Sequence, residues 1–356
     1  MTDQRLRLLH VIDGLTRGGA ETLLVAIINN LPEHEHHLIC LSDNAPLEVG
    51  LPSYCHLTKL GFKKKTDSFR IIRFIRKYIS EHKVDIVHSH LVMANIISRL
   101  ATPKHIPLFN SLHNLNGKKI FNSNFGWQRL AEKFTYKKRH HLIAVSQAVL
   151  DDYNQYIGVK GKATVLYNFV DDRFFADRPH IATIDKTLRM VAVGTLKEQK
   201  NYEFLINAFK ELPENVTLDI YGDGPLKPGI SSMIKESNVA VILKGVRTDI
   251  EKVLPQYDLY VMSSQFEGHP IALLEAMACG MPALVSDIPV LREATGGKGL
   301  FFSLNDTKEF ITNVNAILEG KIDLSTFAVH NLSHANEVAR KSNYLRTLIE
   351  LYRSNN

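Results

Sequence analysis

An α/β protein of two domains, each a doubly wound parallel sheet, is what the sequence predicts. Three observations predict it. Short apolar runs ending in turn residues alternate with amphipathic helical patterns along the chain, the order that parallel sheets with helices on both faces require. A length of 356 residues exceeds one typical domain and supports two cores. The charge also divides with the chain. Residues 1–178 carry 25 Lys and Arg against 16 Asp and Glu, a balance of +9, while the remainder carries 18 against 21, a balance of −3. A basic first half is expected to meet an anionic partner.

Composition excludes several classes. Hydrophobic content of 45% and charged content of 22% are those of an ordinary globular protein. No low-complexity tract or internal repeat stands out, and no run of about 18 apolar residues offers a spanning helix. Cys40, Cys55 and Cys279 are odd in number and lack metal-ligand spacing, which fits reduced thiols in a cytoplasmic protein. The N-terminus passes straight into its first strand without an apolar signal segment.

The first strand, residues 6–12, ends at Asp13-Gly14, and a helix follows over residues 20–31. Between them lies Gly14-Leu15-Thr16-Arg17-Gly18-Gly19-Ala20-Glu21, a glycine-rich turn at a helix N-terminus where backbone N–H groups can approach an anion. Its spacing is neither Gly-x-Gly-x-x-Gly nor a P-loop. Further strands are predicted at 37–41, 84–87, 107–112 and 141–145. A helix over 67–81 places Arg70, Arg73 and Lys77 on one face, with Lys63-Lys64-Lys65 upstream. Lys133, Lys137 and Lys138 repeat this in a later helix, and Lys118-Lys119-Ile120-Phe121 stands near Phe125 and Trp127. Basic clusters beside aromatics fit an anionic membrane surface rather than nucleic acid. Alternation puts His88 and His90 on one face of a strand. With no carboxylate or cysteine at ligand spacing, no metal site is expected there, and His88 reads as a packed strand residue. The pairs Asp151-Asp152 and Asp171-Asp172 read as structural.

The domain boundary is expected near residues 170–187. A strand at 188–193 leads into Gly194-Thr195-Leu196-Lys197-Glu198-Gln199-Lys200-Asn201 and a helix reaching residue 212. Strands and turns around 218–225 and 241–247 follow, then a buried strand at 257–264. Glu267 next occupies a strand-to-helix turn, Pro270 suits the first helical position, and Gly280 with Pro282 closes the helix. In a parallel sheet such a turn lies at the carboxyl ends of the strands, where ligands bind. Glu275 interrupts the apolar run of that helix, and a buried carboxylate needs hydrogen-bond donors such as the hydroxyls of a sugar or a ribose. After strands at 283–287 and 299–302 and a helix at 306–318, residues 334–352 read as one long amphipathic helix.

Glu267-Gly268-His269-Pro270 with Glu275 eight positions after Glu267 resembles the signature of the fourth family of retaining glycosyltransferases, which have the GT-B fold. The resemblance implies two Rossmann-like domains facing across a cleft. They are an acceptor-side domain at 1–170, a linker at 171–187, a nucleotide-sugar domain at 188–335, and a last helix at 336–356 packing back on the first domain. It implies transfer of a hexosyl unit, with retention, from a nucleoside diphosphate sugar to an acceptor hydroxyl. UDP is the favoured nucleotide, the acceptor a saccharide or lipid-linked glycan intermediate, and no metal or cofactor is essential. By the same resemblance Gly18 and Gly19 lie against the donor diphosphate, His113 reaches the transferred sugar, and Lys200 binds the donor phosphates. Glu267 holds sugar hydroxyls, Glu275 binds the ribose, and Gly268, His269, Pro270 and Ile271 line the donor. Thr195 stands where the family usually has an arginine, which removes a bidentate phosphate contact; either Lys197 or Arg247 compensates or the donor binds more weakly. The expected location is cytoplasmic, peripheral on the inner face of the cell membrane. Rival readings are a sugar-nucleotide epimerase of the same fold, a nicotinamide dehydrogenase, whose glycine fingerprint is missing, and a silent nucleotide-sugar-binding subunit of a glycan-assembly complex.

Overall fold

The computed structural model describes residues 5–16, 18–64, 66–115, 117, 126–180 and 187–354. The chain divides into two compact units, Met1–Asn168 with Ser342–Asn356, and Phe169–Lys341.

The first unit holds seven parallel strands: β1 (Arg7–Ile12), β2 (Glu35–Cys40), β3 (Cys55–Lys59), β4 (Ile86–His90), β5 (Leu108–Leu112), β6 (His141–Ala144) and β7 (Ala163–Val165). Their order is β3-β2-β1-β4-β5-β6-β7. Between the strands run α1 (Gly19–Asn29), α2 (Asp67–Glu81), α3 (Val92–Ala101), α4 (Trp127–Thr135) and α5 (Gln147–Tyr156). Helix α2 shows the logic: Ile71, Ile75 and Ile79 recur every turn and are buried, while Arg70, Arg73 and Lys77 are exposed.

The second unit holds β8 (Leu188–Val193), β9 (Val216–Tyr221), β10 (Val241–Gly245), β11 (Leu259–Met262), β12 (Ala283–Ser286) and β13 (Leu300–Phe302), all parallel, in the order β10-β9-β8-β11-β12-β13. Its helices are α6 (Tyr202–Phe209), α7 (Lys227–Ser237), α8 (Ile250–Val253), α9 (Ile271–Ala278), α10 (Pro289–Ala294), α11 (Lys308–Leu318) and α12 (Leu324–Val338). The apolar residues of β8, β9 and β11 form its core with Phe204, Phe302 and Phe310.

Both sheets reverse their strand order at one place, between β1 and β4 and between β8 and β11. Such a switch point leaves a crevice beyond the strand ends. The units also share a lock at the opposite end. Arg7 gives its backbone N–H, Nε and Nη2 to Asp85 at 2.8, 3.1 and 2.8 Å, and Arg189 gives the same three groups to Asp258 at the same distances. The architecture therefore repeats where the sequence shows no repeat.

Two expectations need correction. The expected linker 171–187 is part of the second unit: Ala176 N–H donates to Ala278 O at 2.9 Å and His180 N–H to Gly280 O at 3.0 Å. Gly280 has φ +74°, and a Cβ there would meet the backbone of Pro179 and His180 at 3.0 Å, so glycine is needed for both reasons. Secondly, the single helix over 334–352 is two, α12 and α13 (Lys341–Arg353). The break falls where Val170 N–H bonds Ala339 O and Val170 bridges Arg340, a pairing that helical backbone at Ala339 and Arg340 would forbid. From Ser342 onward the chain belongs to the first unit, where Tyr344, Leu348 and Tyr352 of α13 are buried at four-residue spacing. Edge strands β3 and β7 and helix α7 were not legible, because the strands bury none of their residues fully and α7 buries only Ile230, which leaves a weak period. Among the described residues no helix is long and apolar enough to cross a membrane.

Candidate active site

In the second unit the chain leaves β8 through Gly194 and β9 through Gly222-Asp223-Gly224. These loops interlock by backbone: Gly194 N–H donates to Tyr221 O and Leu196 N–H to Asp223 O, at 2.9 and 3.0 Å. A Cβ on Gly222, whose φ is +147°, would stand 2.0 Å from Gly194 O, and one on Gly224 2.5 Å from Leu196 O. Only glycine permits this approach.

The next turn carries Lys200. It is stitched to the loop after β11, since Ser263 Oγ donates to the carbonyls of Lys200 and Asn201 at 2.9 and 3.0 Å. Gln199 Nε2 likewise donates to Phe266 O at 2.7 Å. Asn201 takes the left-handed conformation, φ +52°, and turns the chain into α6. The result is an ion pair at the switch point: Lys200 Nζ donates to Glu267 Oε1 at 2.7 Å, with both side chains largely buried. The sequence reading gave these two residues separate partners; the structure joins them.

Pro270 is the cap of α9 rather than its first helical residue, with φ −79° and ψ 98°, and its carbonyl accepts from Leu273 and Leu274. This leaves the first N–H groups, those of Ile271 and Ala272, outside the intrahelical bonding and open to an anion. His269 is buried, and burial pulls its imidazole down to about 3, so it is neutral. Glu275 is partly buried on α9. Burial pushes its carboxyl up to about 7; Arg173 pulls it down, and Glu251 and Asp171 push it further up. Among the described residues its carboxylate has no hydrogen-bond partner, so it is a ready acceptor for hydroxyl donors. Thr195 is exposed at the same turn. Arg247 does not stand free to replace the missing arginine: its Nε and Nη2 both donate to Asp249 at 2.8 Å on the surface.

In the first unit Gly18 caps α1 and Gly19 opens it. Glu21 folds back over Gly18, so that a Cβ there would lie 2.4 Å from Glu21 Oε2, and Thr16 Oγ1 donates to Glu21 Oε1 at 2.6 Å. Arg17 lies outside the described residues, as do Lys65, Lys118, Lys119, Ile120, Phe121 and Phe125.

His113 follows β5 and faces a cavity of about 200 Å³ at the β1/β4 switch point. Asp13, Leu91, Asn95, Ser111 and Asn114 line it with His113, over a floor of Glu132 and Tyr153. His113 Nε2 shares a hydrogen bond with His90 Nδ1 at 3.1 Å, and burial lowers its imidazole to about 4. Asp13 was read from sequence only as a strand end, yet its Oδ1 accepts the N–H of Ala94 at 2.6 Å, and burial pushes its carboxyl up to about 6. Leu91, between β4 and α3, has φ +74° and ψ 166°. That region is essentially glycine's, and holding leucine there costs on the order of 1–3 kcal/mol. Beneath the cavity Arg99 pairs with Glu132, Tyr153 hydroxyl donates to Glu132 at 2.7 Å, and Arg99 Nε donates to Asn110 at 2.8 Å.

His88 and His90 share a face, as alternation requires, and His10 of β1 joins them. Ring nitrogens of the three come within 4.8 Å of one another. Both His88 nitrogens are engaged, one with Tyr352 hydroxyl at 2.6 Å and one with Ser111 Oγ at 2.7 Å, as befits a packed strand residue.

Comparison with known proteins decides the family. A family model described as Glycosyltransferase Family 4 matches residues 17–174, and one described as Glycosyl transferases group 1 matches residues 187–320. This chain belongs to the family 4 glycosyltransferases. A Campylobacter jejuni relative, the N-acetylgalactosamine-N,N'-diacetylbacillosaminyl-diphospho-undecaprenol 4-alpha-N-acetylgalactosaminyltransferase, is 26% identical over 78% of this chain and 79% of its own length. The Escherichia coli UDP-Gal:alpha-D-GlcNAc-diphosphoundecaprenol alpha-1,3-galactosyltransferase is 28% identical over 69% of each chain. Among solved structures, Anabaena HepE in complex with UDP superposes with a TM-score of 0.84 at 18% identity, covering 98% of this chain and 100% of that one. The glycosyltransferase has the two-domain α/β fold of the GT-B enzymes.

Proposed function

We propose that this glycosyltransferase moves a hexosyl unit, with retention, from a UDP-sugar to a hydroxyl of a saccharide or lipid-linked acceptor in the assembly of a cell-surface glycan. The observation that carries the reading is the Lys200–Glu267 pair at the β8/β11 switch point, beside the open amides of α9. The names of two relatives point to diphospho-undecaprenol-linked acceptors, one to a UDP-sugar, and the HepE complex to UDP.

Each step has a group to serve it. As the bond from the anomeric carbon to the phosphate oxygen breaks, its electron pair goes to the diphosphate and positive charge grows on the sugar ring. Lys200 turns from Glu267 to the phosphate, and the α9 amides share that charge. Glu267 then faces the developing oxocarbenium and holds sugar hydroxyls. The acceptor oxygen forms the new bond on the same face and passes its proton to the departing phosphate oxygen. His113, held neutral, positions the sugar, and Glu275 accepts the ribose hydroxyls. With Lys200 and backbone amides serving the diphosphate, the reading needs no metal.

The basic surface of the first unit supports peripheral attachment at the inner face of the cell membrane. Phe69 and Phe134 are 75% and 71% exposed and Leu130 is 56% exposed, close in sequence to the exposed Arg70, Arg73, Lys77 and Lys133. Lys137 and Lys138 are exposed too, but just beyond the end of α4 rather than within a helix, because the buried Tyr136 turns the chain.

Thermal shifts with UDP, GDP, ADP and CDP, with and without magnesium, test the donor reading on the wild type and on Glu275→Ala. Stabilisation by UDP, indifferent to magnesium and weakened in the variant, is expected. Stabilisation by another nucleotide, or a strict need for magnesium, would overturn it. Flotation with anionic liposomes at low salt tests attachment, and failure to co-float would refute it.

A further inference from the structure

The walls of the first unit's cavity have a definite electrical character. Among the described residues no Lys or Arg lines it, although the unit as a whole is basic. Of the two carboxylates, Glu132 is neutralised by Arg99, whereas Asp13 has backbone partners and, among the described residues, no salt bridge. The remaining polar lining among the described residues is Asn95, Ser111, His113, Asn114, Gln128 and Tyr153, neutral groups that exchange hydrogen bonds with hydroxyls. Glu21, on the neighbouring helix, adds negative charge near Asp13.

We infer that this cavity receives the reacting end of the acceptor as an uncharged, hydroxyl-rich sugar ring, with the Asp13 carboxylate accepting a hydrogen bond from one of its hydroxyls. The inference deepens, and rests on, the reading of the chain as a transferase to a saccharide acceptor. Three observations carry it. A volume of about 200 Å³ is small for a binding pocket and suits a single ring. A carboxylate offers about four lone-pair sites, and the amides at the start of α3 use only part of them. Capping α3 alone would not call for a charge, since Asn or Ser caps as well as Asp. A carboxylate with no cation among the described residues beside it, at a cavity wall, favours a neutral donor of hydrogen bonds and repels phosphate and uronate groups. The strained Leu91 backbone fixes the start of α3, whose amides hold the Asp13 carboxylate.

The experiment uses the full chain with UDP present and two kinds of probe, neutral methyl hexosides and methyl N-acetylhexosaminides on one side and methyl glucuronide on the other. Binding is read by ligand-observed NMR. The wild type should prefer the neutral probes by about tenfold or more. Asp13→Asn, which keeps the α3 cap, should erase that preference and leave UDP affinity unchanged. Equal or better binding of glucuronide by the wild type, an unaltered preference in Asp13→Asn, or no binding of any glycoside while UDP binds would each overturn the inference. If Asp13→Asn does not fold, Asn114→Lys at the exposed rim replaces it: glucuronide should gain about tenfold, and no gain would overturn the inference. UDP binding is scored separately. Its absence beside an intact glycoside preference would overturn the donor reading and leave this one standing.

Discussion

Lys200 Nζ lies 2.7 Å from Glu267 Oε1, and each side chain is otherwise shielded from solvent. Removing one partner leaves the other charged and unpaired, which is more damaging than neutralising it in place. Lys200→Ala is therefore expected to lower stability by about 3 kcal/mol, and Glu267→Gln, which keeps an acceptor for Lys200, by less than about 1 kcal/mol. Both should reduce transfer by about 100-fold or more, measured as product from a UDP-sugar. Equal destabilisation by the two changes in urea melts would contradict the pairing.

Glu275 makes proton linkage measurable. Its carboxyl is pushed up to about 7 by burial, and ribose hydroxyls donating to it would favour the charged form. Nucleotide binding near pH 7 should then release protons. Calorimetry in buffers of different ionisation enthalpy should give different apparent enthalpies for the wild type and identical ones for Glu275→Gln. The sign for stability follows from a raised folded value: the favourable contribution is complete below about 4.5 and is lost as pH rises through 7. Glu275→Gln should accordingly exceed the wild type in stability at pH 8, by on the order of 1–2 kcal/mol, and not at pH 4.

The first unit should be the acid-sensitive one. Burial holds His88 and His140 at about 3 and His113 and His141 at about 4, against about 6.5 in the unfolded chain. Lowered folded values mean stability that is present above 6.5 and is lost as pH falls from there toward 4. Each histidine contributes at most about 1.4 kcal/mol per pH unit in that window, and Asp13, raised to about 6, offsets one of them in part. Hydrogen exchange read by mass spectrometry at pH 7 and pH 5 should show protection, corrected for intrinsic exchange rates, falling first in residues 5–168. Parallel loss in both units would refute the expectation.

Gly222→Ala is predicted to be the most disruptive single methyl in the second unit. Its Cβ would collide with the carbonyl of Gly194 at 2.0 Å, and backbone cannot swing aside as a side chain can. A loss of about 3 kcal/mol or more is expected in chemical denaturation, with UDP binding weakened because the Gly194 loop underlies Lys200. Gly229→Ala, with open space around it, serves as the control and should be silent or mildly stabilising.

Much of this protein was legible in its residues because local chemistry dictated it. Alternating apolar runs and helical periods specify two parallel sheets, since each strand buried on both faces must be apolar throughout. Glycines, prolines and carboxylates at Glu267, Gly268, Pro270, Glu275 and Gly280 mark one strand-to-helix turn, because each has a backbone or burial requirement that few other residues meet. The tertiary structure decided what sequence spacing cannot encode. It brought Lys200 to Glu267 across 67 residues, tied Arg247 to Asp249, and divided the last helix at the Val170 pairing. It also made Asp13, a strand end in the sequence, the carboxylate of a cavity wall. Side-chain partners across a switch point depend on which loops the sheet order sets side by side, and that order is a property of the assembled fold.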